Sequence, residues 1–223
     1  MNIDKVGIIE QVSIRDQVAD ILRQHIISGK LKPDERLSER QISLQLNVST
    51  TPIKEALRML QSEGLIYTLP RRGSFVSSGY KEQIYQTILL RSAVDGVAAY
   101  LAAKSHDEAS LKTISEPLMC AEELIESGSN DFEKISLYND QFHEAIREAT
   151  KGTQIINLGR NLRALDNSIR KLVNAGNLSA VKSRHLEHLS ILSAIRDGEA
   201  EKAEDLMVNH IRNHSLKISM VES

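Results

Sequence analysis

Three histidines in the C-terminal half of the chain have the spacing and surroundings of metal ligands. His143, His188 and His210 each stand among apolar residues, and each falls on a different predicted helix. Imidazole nitrogens that converge from three helices can bind a divalent metal ion and leave one coordination position open. The alternative is that each histidine is a hydrogen-bonded packing residue beside a helical core, and the spacing alone leaves both interpretations open.

A second group of residues has the chemistry of DNA recognition. The segment after Ser49 has the apolar periodicity of a helix, and its opposite side carries hydroxyl, amide and basic side chains, namely Thr50, Thr51, Lys54, Arg58 and Gln61. Side chains of these types contact base edges and phosphates when a helix enters the major groove. Arg71 and Arg72 follow in a short turn, where they are placed to contact a phosphate backbone or a minor groove.

The elements around these residues predict a winged helix-turn-helix. Ser38 and Gln41 form a capping box that starts a short helix, and Ser49 caps the helix that follows. Strand-like residues on both sides of the turn at residues 70–73 predict a small β-hairpin wing. The predicted helices cover residues 14–27, 39–46 and 49–63, and the predicted strands cover residues 65–68 and 74–77.

The remainder of the chain has helical periodicity interrupted by glycines. The predicted helices lie near residues 80–104, 107–127, 131–149, 153–175, 179–197 and 199–219. Pro117 interrupts the second of these and predicts a kink or a late helix start. We therefore expect a mainly α protein with two domains, a winged helix-turn-helix with a small β-hairpin wing at residues 1–78 and an all-α helical bundle at residues 79–223.

The composition fits two domains and excludes several classes of protein. With 223 residues, of which 41% are hydrophobic, the chain can hold two hydrophobic cores. The formal net charge is +2 over residues 1–78 and −4 over residues 79–223, which together give the total of −2. No apolar run is long enough to span a bilayer, and the single cysteine excludes an internal disulfide. We expect a cytoplasmic protein that does not enter a membrane.

The N-terminal part resembles the DNA-binding domain of the GntR family of bacterial transcription regulators. The family pattern LxxRxLAxxLxVSRxPVRxALxxLxxEGL, followed by RRGxFV, is matched here by LSERQISLQLNVSTTPIKEALRMLQSEGL and RRGSFV. The resemblance implies that the DNA-facing residues are Arg40, Ser49, Thr50, Thr51, Lys54, Arg72 and Gly73. Thr50 and Lys54 stand where the family usually has arginine. A threonine cannot make the bidentate guanine contact of an arginine, so we expect a different base preference.

The C-terminal part resembles the helical ligand-binding domain of the FadR subfamily, known as the FCD type. The segments RSAVD, NDQFHEAI, EHLSILSAI and MVNH, which start at residues 91, 139, 187 and 207, correspond to the family patterns RxxLE, DxxFHxxI, EHxxIxxAI and MxxH. In metal-binding members the aspartate and the three histidines are the ligands. The resemblance therefore implies that a zinc, nickel or manganese ion is held here by Asn139, His143, His188 and His210.

Asn139 departs from this ligand pattern, because it is an amide where the family has an aspartate. Its neutral oxygen is expected to bind a hard cation more weakly than a carboxylate does. Asp140 is adjacent, but one residue along a helix turns a side chain by about 100°, which makes Asp140 a poor substitute.

The resemblance implies a regulator that responds to a metabolite. A homodimer would place two recognition helices on the half-sites of a palindromic double-stranded DNA operator, and a small organic or sugar acid at the metal would change DNA affinity. Repression that the metabolite relieves is the commoner arrangement. Arg91 matches a family arginine that faces the effector pocket, and an ion pair with Asp95 one helical turn later is an equal alternative.

Two other functions are compatible with the three histidines. A metal-dependent hydrolase would use the open coordination position to activate water, but the motifs contain no evident general base and a complete DNA reader precedes them. A regulator with a purely structural metal, or with no metal because of Asn139, is the other alternative. We expect a transcription regulator that is not an enzyme.

Overall fold

The structure is a computed structural model, and it describes residues 13–105, 107–162 and 178–219, with side chains as far as residue 213. The chain divides into two compact units, Met1–Tyr80 and Lys81–Ser223. Helices dominate both units, and within the described residues the β structure is one three-stranded sheet. The predicted mainly α fold is therefore confirmed. None of the described helices has both the length and the apolar character needed to cross a membrane.

The first unit begins with three helices that form a helix-turn-helix. They are α1 (Ile14–Ile27), α2 (Glu39–Leu46) and α3 (Thr50–Ser62). Ser38 caps α2 by accepting a 3.4 Å hydrogen bond from the backbone N–H of Gln41. Asn47 ends α2 in the left-handed conformation, with φ 52°, so the chain turns sharply into α3. Ile53 and Leu60 on α3 are fully buried and anchor it against the other two helices.

The wing is a sheet of three antiparallel strands in the order β1-β3-β2. The strands are β1 (Arg36–Leu37), β2 (Ile66–Leu69) and β3 (Gly73–Val76). The sequence predicted the β2–β3 hairpin but not β1, because two residues are too few to show the alternation of a strand. Tyr67 and Phe75 stack across the hairpin with their ring centroids 5.5 Å apart. Gly73 follows the turn with φ 101°, a conformation that favours glycine.

A buried arginine joins α1 to the end of α3. Arg23 is 1% exposed, and its Nε and Nη2 donate to the two carboxylate oxygens of Glu63 at 2.8 and 2.7 Å. Asp20 also accepts from this guanidinium. Burial is the largest single effect on the pKa of Arg23, and it lowers this pKa. The hydrogen bonds and charges of Glu63 and Asp20 together outweigh burial, so the pKa of Arg23 is raised. This bidentate pair fixes the C-terminal end of α3 against α1.

The second unit is a bundle of helices. They are α4 (Tyr80–Ser105), α5 (Glu108–Glu126), α6 (Phe132–Ala149), α7 (residues 153–162), α8 (Leu178–Arg196) and α9 (Ala200–Ser219). The ends of these helices agree with the prediction to within one or two residues. The helix that starts at residue 153 was predicted to continue to residue 175, and the part beyond residue 162 lies outside the described residues. Gly96 allows α4 and α9 to approach closely, because a Cβ there would lie 2.6 Å from Cγ2 of Val208.

Two expectations about local structure are wrong, namely a late helix start at Pro117 and a buried Ile21. α5 begins at Glu108 and continues through Pro117, so no late start occurs there. A proline removes one backbone donor and clashes with one carbonyl, but packing of the apolar face of α5, including Leu118 and Ala121, keeps the helix continuous. The apolar periodicity of α1 predicts that Ile21 is buried, but Ile21 is 38% exposed and Ala19 is buried.

We predict that Glu63→Gln destabilises α1 and α3 by about 2 kcal/mol, because it leaves the buried guanidinium of Arg23 without its bidentate partner. Glu55→Gln is the matched control, since Glu55 lies on the same helix and is exposed. Hydrogen exchange of the α1 and α3 amides in the full-length protein would measure both changes. Equal protection of the two variants would contradict the role given to this ion pair.

Candidate metal centre and DNA-binding surface

Three histidine side chains meet in the interior of the second unit. His143 lies on α6, His188 on α8 and His210 on α9, and all three are buried. Their candidate ligand atoms lie within 4.8 Å of one another. Nε2 of His188 is 3.0 Å from Nε2 of His210. The structure thus brings together, from three helices, the histidines that the sequence singled out.

Glu187 sets the tautomer of His210. Its Oε2 lies 2.8 Å from Nδ1 of His210, so Nδ1 carries the proton and donates it to the carboxylate. In the neutral ring, Nε2 then keeps its lone pair on the side that faces His188. A carboxylate behind a histidine in this way orients the ring and raises its basicity, as it does behind metal-ligating histidines. The sequence analysis missed this role, although Glu187 directly precedes His188.

The environment of His143 keeps its ring neutral. Burial is the main reason that the pKa of His143 lies well below 6.5, and the positive charge of Arg91 is the next cause. Its Nδ1 is buried without a hydrogen-bond partner and lies 3.6 Å from Oδ2 of Asp95. A neutral imidazole has the lone pair that a metal ligand requires.

Asn139 is buried near His143 along α6 and has an unused acceptor oxygen. It precedes His143 by one helical turn on α6 and is 5% exposed. Its Oδ1 is buried without a hydrogen-bond donor, which is costly unless another group satisfies it. Three neutral imidazoles and an amide oxygen are a donor set that zinc or nickel accepts, so these residues fit a divalent metal ion. Asp140 is also buried but does not belong to the cluster found among the described residues.

A buried carboxylate supports the cluster from α4. Asp95 is 1% exposed and accepts from Nη1 of Arg147 at 2.7 Å and from Nε of Arg91 at 3.3 Å. Arg147 is fully buried and also donates from Nη2 to Glu144 at 2.8 Å. A Cβ at Gly159 would lie 2.2 Å from Cδ of Arg147, so the glycine makes room for this side chain. Asp95 therefore links α4 to α6 directly beside His143.

The buried role of Arg147 was not predicted from the sequence. The available signal was its position four residues after His143, which puts both side chains on one face of α6. One of the two interpretations of Arg91 was an ion pair with Asp95, and this ion pair is present. The pair does not exclude an effector contact, because a guanidinium has five N–H donors and can contact more than one anion. The effector role of Arg91 stays a prediction.

From the sequence alone His185 is expected at the surface, but its side chain is buried. It is 5% exposed on α8, and neither ring nitrogen has a hydrogen-bond partner. Burial lowers the pKa of His185, against the opposing charges of Glu122 and Glu126. The buried face of α8 is wide enough to include His185 as well as Val181 and His188, which a single apolar stripe does not predict. The side chain of His214 lies outside the described residues.

In the first unit, α3 presents polar residues at its N-terminal end. Thr50, Thr51 and Lys54 are exposed, and the first turn of α3 has no acidic residue. Ser49 occupies the cap position, but its side chain makes no capping hydrogen bond, so its hydroxyl remains available to an external group. Free backbone N–H groups and the helix dipole favour an anion such as phosphate at this end.

Other basic residues of the first unit lie on α2, on α3 and in the wing. Arg40 lines an open concavity of about 550 Å³ together with Arg36, Ser38, Gln41 and Leu44. Nζ of Lys54 lies 3.8 Å from Oε2 of Glu39, and both side chains are largely exposed. A surface pair of this kind is weak and can be exchanged for a phosphate contact. Arg72 is exposed at the tip of the wing, beside Arg71 with φ 63°.

Two family models match the chain. The model described as bacterial regulatory proteins, gntR family, matches residues 14–76, and the FCD domain model matches residues 84–213. The candidate DNA-binding residues fall within the first match, and the three histidines fall within the second.

Similar proteins are known along almost the whole chain. The chain is 28% identical over 193 residues to the uncharacterized HTH-type transcriptional regulator YdhC of Bacillus subtilis, covering 86% of this chain and 85% of the relative. It is 26% identical over 209 residues to the HTH-type transcriptional repressor RspR of Escherichia coli, and the match covers 93% of this chain and 90% of RspR. The solved structure of E. coli McbR/YncC has the same fold, with a TM-score of 0.65 and 23% identity over 93% of this chain and 98% of that one.

The buried histidines predict a stability that falls as the pH falls. The pKa values of His143 and His185 are lowered in the folded state, so the unfolded chain takes up protons first as the pH drops below about 6.5. Folding stability should be retained above that pH and lost below it, by up to about 1.4 kcal/mol per pH unit for each histidine. Urea denaturation of chelator-treated protein between pH 7.5 and 5.5 measures this dependence.

The variant His143→Asn should flatten this pH dependence, because it removes a group whose pKa is lowered in the folded state. The control His25→Gln, in the other unit, should leave it unchanged. A pH dependence that is the same in His143→Asn and in the unaltered chain would show that His143 is not held neutral in the folded state.

Proposed function

The chain belongs to the GntR family of bacterial regulatory proteins and carries an FCD domain, and on this basis we propose that it is a dimeric repressor controlled by a metabolite. In this proposal residues 1–78 bind a palindromic operator, and residues 79–223 bind a small carboxylate at a metal centre. The observation that carries the proposal is the convergence of His143, His188 and His210 in the domain that follows a DNA reader. The repressor assignment draws on RspR, which is named as a repressor.

For DNA binding, we assign base contacts to α3 and phosphate contacts to its surroundings. Thr50 and Thr51 are short and exposed, which suits hydroxyl or methyl contacts with base edges. Ser49 and Lys54 flank them. Arg40, together with Arg72 and Gly73 of the wing, is assigned to the phosphate backbone. Two copies of this surface in a dimer would read the two half-sites of a palindrome.

For the metal centre, we assign Asn139, His143, His188 and His210 as ligands of a zinc, nickel or manganese ion. When bound, the ion supplies a Lewis-acidic position for an effector oxygen. The chain contributes the orientation of the ligands, since Glu187 holds His210 and Asp95 lies behind His143. All four direct ligands would be neutral, so none of them cancels the positive charge of the ion, although the carboxylates of Glu187 and Asp95 lie behind two of them. This charge favours an anionic effector over a neutral one.

Arg91 is the proposed second contact of the effector carboxylate. It is buried beside Asp95 with Nε at 3.3 Å from Oδ2, and Asp95 retains Arg147 as a partner at 2.7 Å. An incoming carboxylate can therefore share or take the guanidinium of Arg91 without leaving Asp95 unpaired. Such a rearrangement would couple effector binding to DNA affinity by about 1–3 kcal/mol in both directions.

The hydrolase alternative is not retained. The relatives that match 85% or more of this chain are named as transcription regulators, and the family is one of regulatory proteins. A regulator whose metal is only structural, or is absent, differs from the proposal in a measurable way, because its DNA affinity would not depend on an acid bound at the metal.

The amide at residue 139 gives a direct test of the ligand assignment. Asn139→Asp should raise the affinity for manganese by at least about tenfold, because a carboxylate suits this hard cation better than an amide oxygen does. Asn130→Asp is the matched control, since it makes the same change at an exposed position. Metal titrations of the two variants and of His188→Ala measure the affinities. An equal effect of the two aspartates, or unchanged binding in His188→Ala, would refute the assignment.

The DNA surface is tested separately by salt dependence. Arg40→Ala and Lys54→Ala should each weaken binding to a selected palindromic site and lower the slope of log affinity against log salt by about 1, since each removes one phosphate contact. Arg196→Ala, an exposed arginine in the second unit, is the charge-matched control. Fluorescence anisotropy at several salt concentrations measures the slopes. Unchanged affinity and slope in both variants would overturn the assignment of this surface.

A further inference from the structure

Three polar side chains connect the wing to α3, and we call Gln61, Thr68 and Ser74 the wing tether. Oγ1 of Thr68 donates to Oε1 of Gln61 at 2.9 Å and lies 3.1 Å from Oγ of Ser74. A threonine hydroxyl has one hydrogen and Gln61 takes it, so Ser74 donates to Thr68. Ser74 is 8% exposed and is paired with Thr68 across the β2–β3 hairpin. The tether therefore runs from the buried side of the sheet to the side of α3.

Thr68 stands between the buried base of the hairpin and its exposed tip. Ile66 and Val76 at the base are buried, whereas residues 69–72 are all exposed. A strand rises by about 3.3 Å per residue, so the tip lies about 10 Å beyond Thr68. A change in the angle of the hairpin at Thr68 therefore moves Arg72 relative to α3.

The neighbouring residue on β2 holds the other face of the sheet. Successive side chains of a strand point to opposite faces, and Tyr67 stacks on Phe75 while its hydroxyl donates to Oδ1 of Asp34 at 3.0 Å. These contacts join the strands to one another and to the loop that precedes β1. They stiffen the sheet, but they do not reach α3. The angle between the wing and α3 at this level is thus set by Thr68.

Gln61 lies on the side of α3 that carries two of the proposed DNA contacts. At 100° per residue, its side chain falls within about 20° of both Thr50 and Lys54. A glutamine that reads adenine turns its oxygen and its nitrogen together toward one base edge. Oε1 of Gln61 is instead turned to Thr68, so its carboxamide faces the wing. The position and orientation of Gln61 fit a strut between α3 and the wing better than a base contact.

We propose that the wing tether holds the wing at a fixed angle to α3, so that Arg72 and the α3 residues meet the DNA together. Thr68 is then a positioning residue, because it acts through Arg72. The proposal rests on the DNA contacts of the proposed function and adds the residues that pre-arrange them. A wing that is already ordered in the free protein loses less conformational entropy on binding, which raises the affinity.

The first test removes the hydroxyl of Thr68 in the full-length protein. Thr68→Val keeps the β-branched shape that suits a strand but cannot bond to Gln61 or Ser74. It should weaken binding to a site selected from random double-stranded DNA by about threefold to tenfold, as expected for the loss of such hydrogen bonds. Thr68→Ser keeps the hydroxyl and should bind like the unaltered chain. Thr113→Val is the matched control, since this exposed hydroxyl donates within α5.

A double-mutant cycle separates positioning from a general loss of structure. In the Arg72→Ala background Thr68→Val should have little further effect, because the contact that it positions is already gone. In the Lys54→Ala background it should have its full effect. Circular dichroism melting verifies that the variants are folded. If Thr68→Val does not fold, Gln61→Ala replaces it in the same cycle, since Gln61 is exposed on α3 and its loss spares the strand.

Three results would overturn the proposal. A folded Thr68→Val that binds like the unaltered chain, while Arg72→Ala binds more weakly, would overturn the tether and leave the wing contact of the proposed function standing. An equal effect of Thr68→Val in the Arg72→Ala and Lys54→Ala backgrounds would show that Thr68 does not act through the wing. Unchanged affinity in Arg72→Ala would overturn the wing contact itself, and the tether with it.

Discussion

The buried carboxylate of Asp95 is the interaction on which the second unit depends. An unpaired charge in that position would cost several kcal/mol, and Arg147 and Arg91 remove this cost by donating to its two oxygens. The pairing of Asp95 with Arg147 fixes α4 against α6. Gly159 makes room for the side chain of Arg147, and Gly96 on α4 allows α9 to approach closely. The three helices that meet here include the two that carry His143 and His210. The three-histidine cluster therefore lies beside a charge network that holds these helices together.

Much of this arrangement could be predicted from the sequence, and the rest shows where periodicity stops being informative. Helix ends followed from caps and glycines, such as Ser38 and Asn47, because those signals are local. The three histidines were found because each breaks an apolar row. Arg147 and the buried position of His185 were missed, since whether a polar side chain in a helix is buried depends on what the neighbouring helices offer. The strand at residues 36–37 was missed because its pairing comes entirely from β3.

The charges of the site suggest how it would select its effector. Burial keeps His143 neutral, Asn139 adds a neutral oxygen, and Asp95 is already shared between two arginines. A divalent ion held by these groups would keep its positive charge, and Arg91 would add a second positive group within reach of an anion. Because Arg91 belongs to α4, the pairing of an anion with Arg91 would act on this helix. Helix α4 would then take part both in binding the effector and in transmitting its effect on DNA affinity.

The most direct measurement of the central claim is a thermal-shift screen of small carboxylates on metal-loaded and chelator-treated protein. A ligand at 100 times its dissociation constant adds about 2.7 kcal/mol of stability, which a melting curve resolves easily. The account predicts that at least one acid raises the melting temperature by several degrees, and that the shift disappears after chelation and in His188→Ala. A protein shown to contain metal that responds to no acid, or that responds equally after chelation, would contradict it.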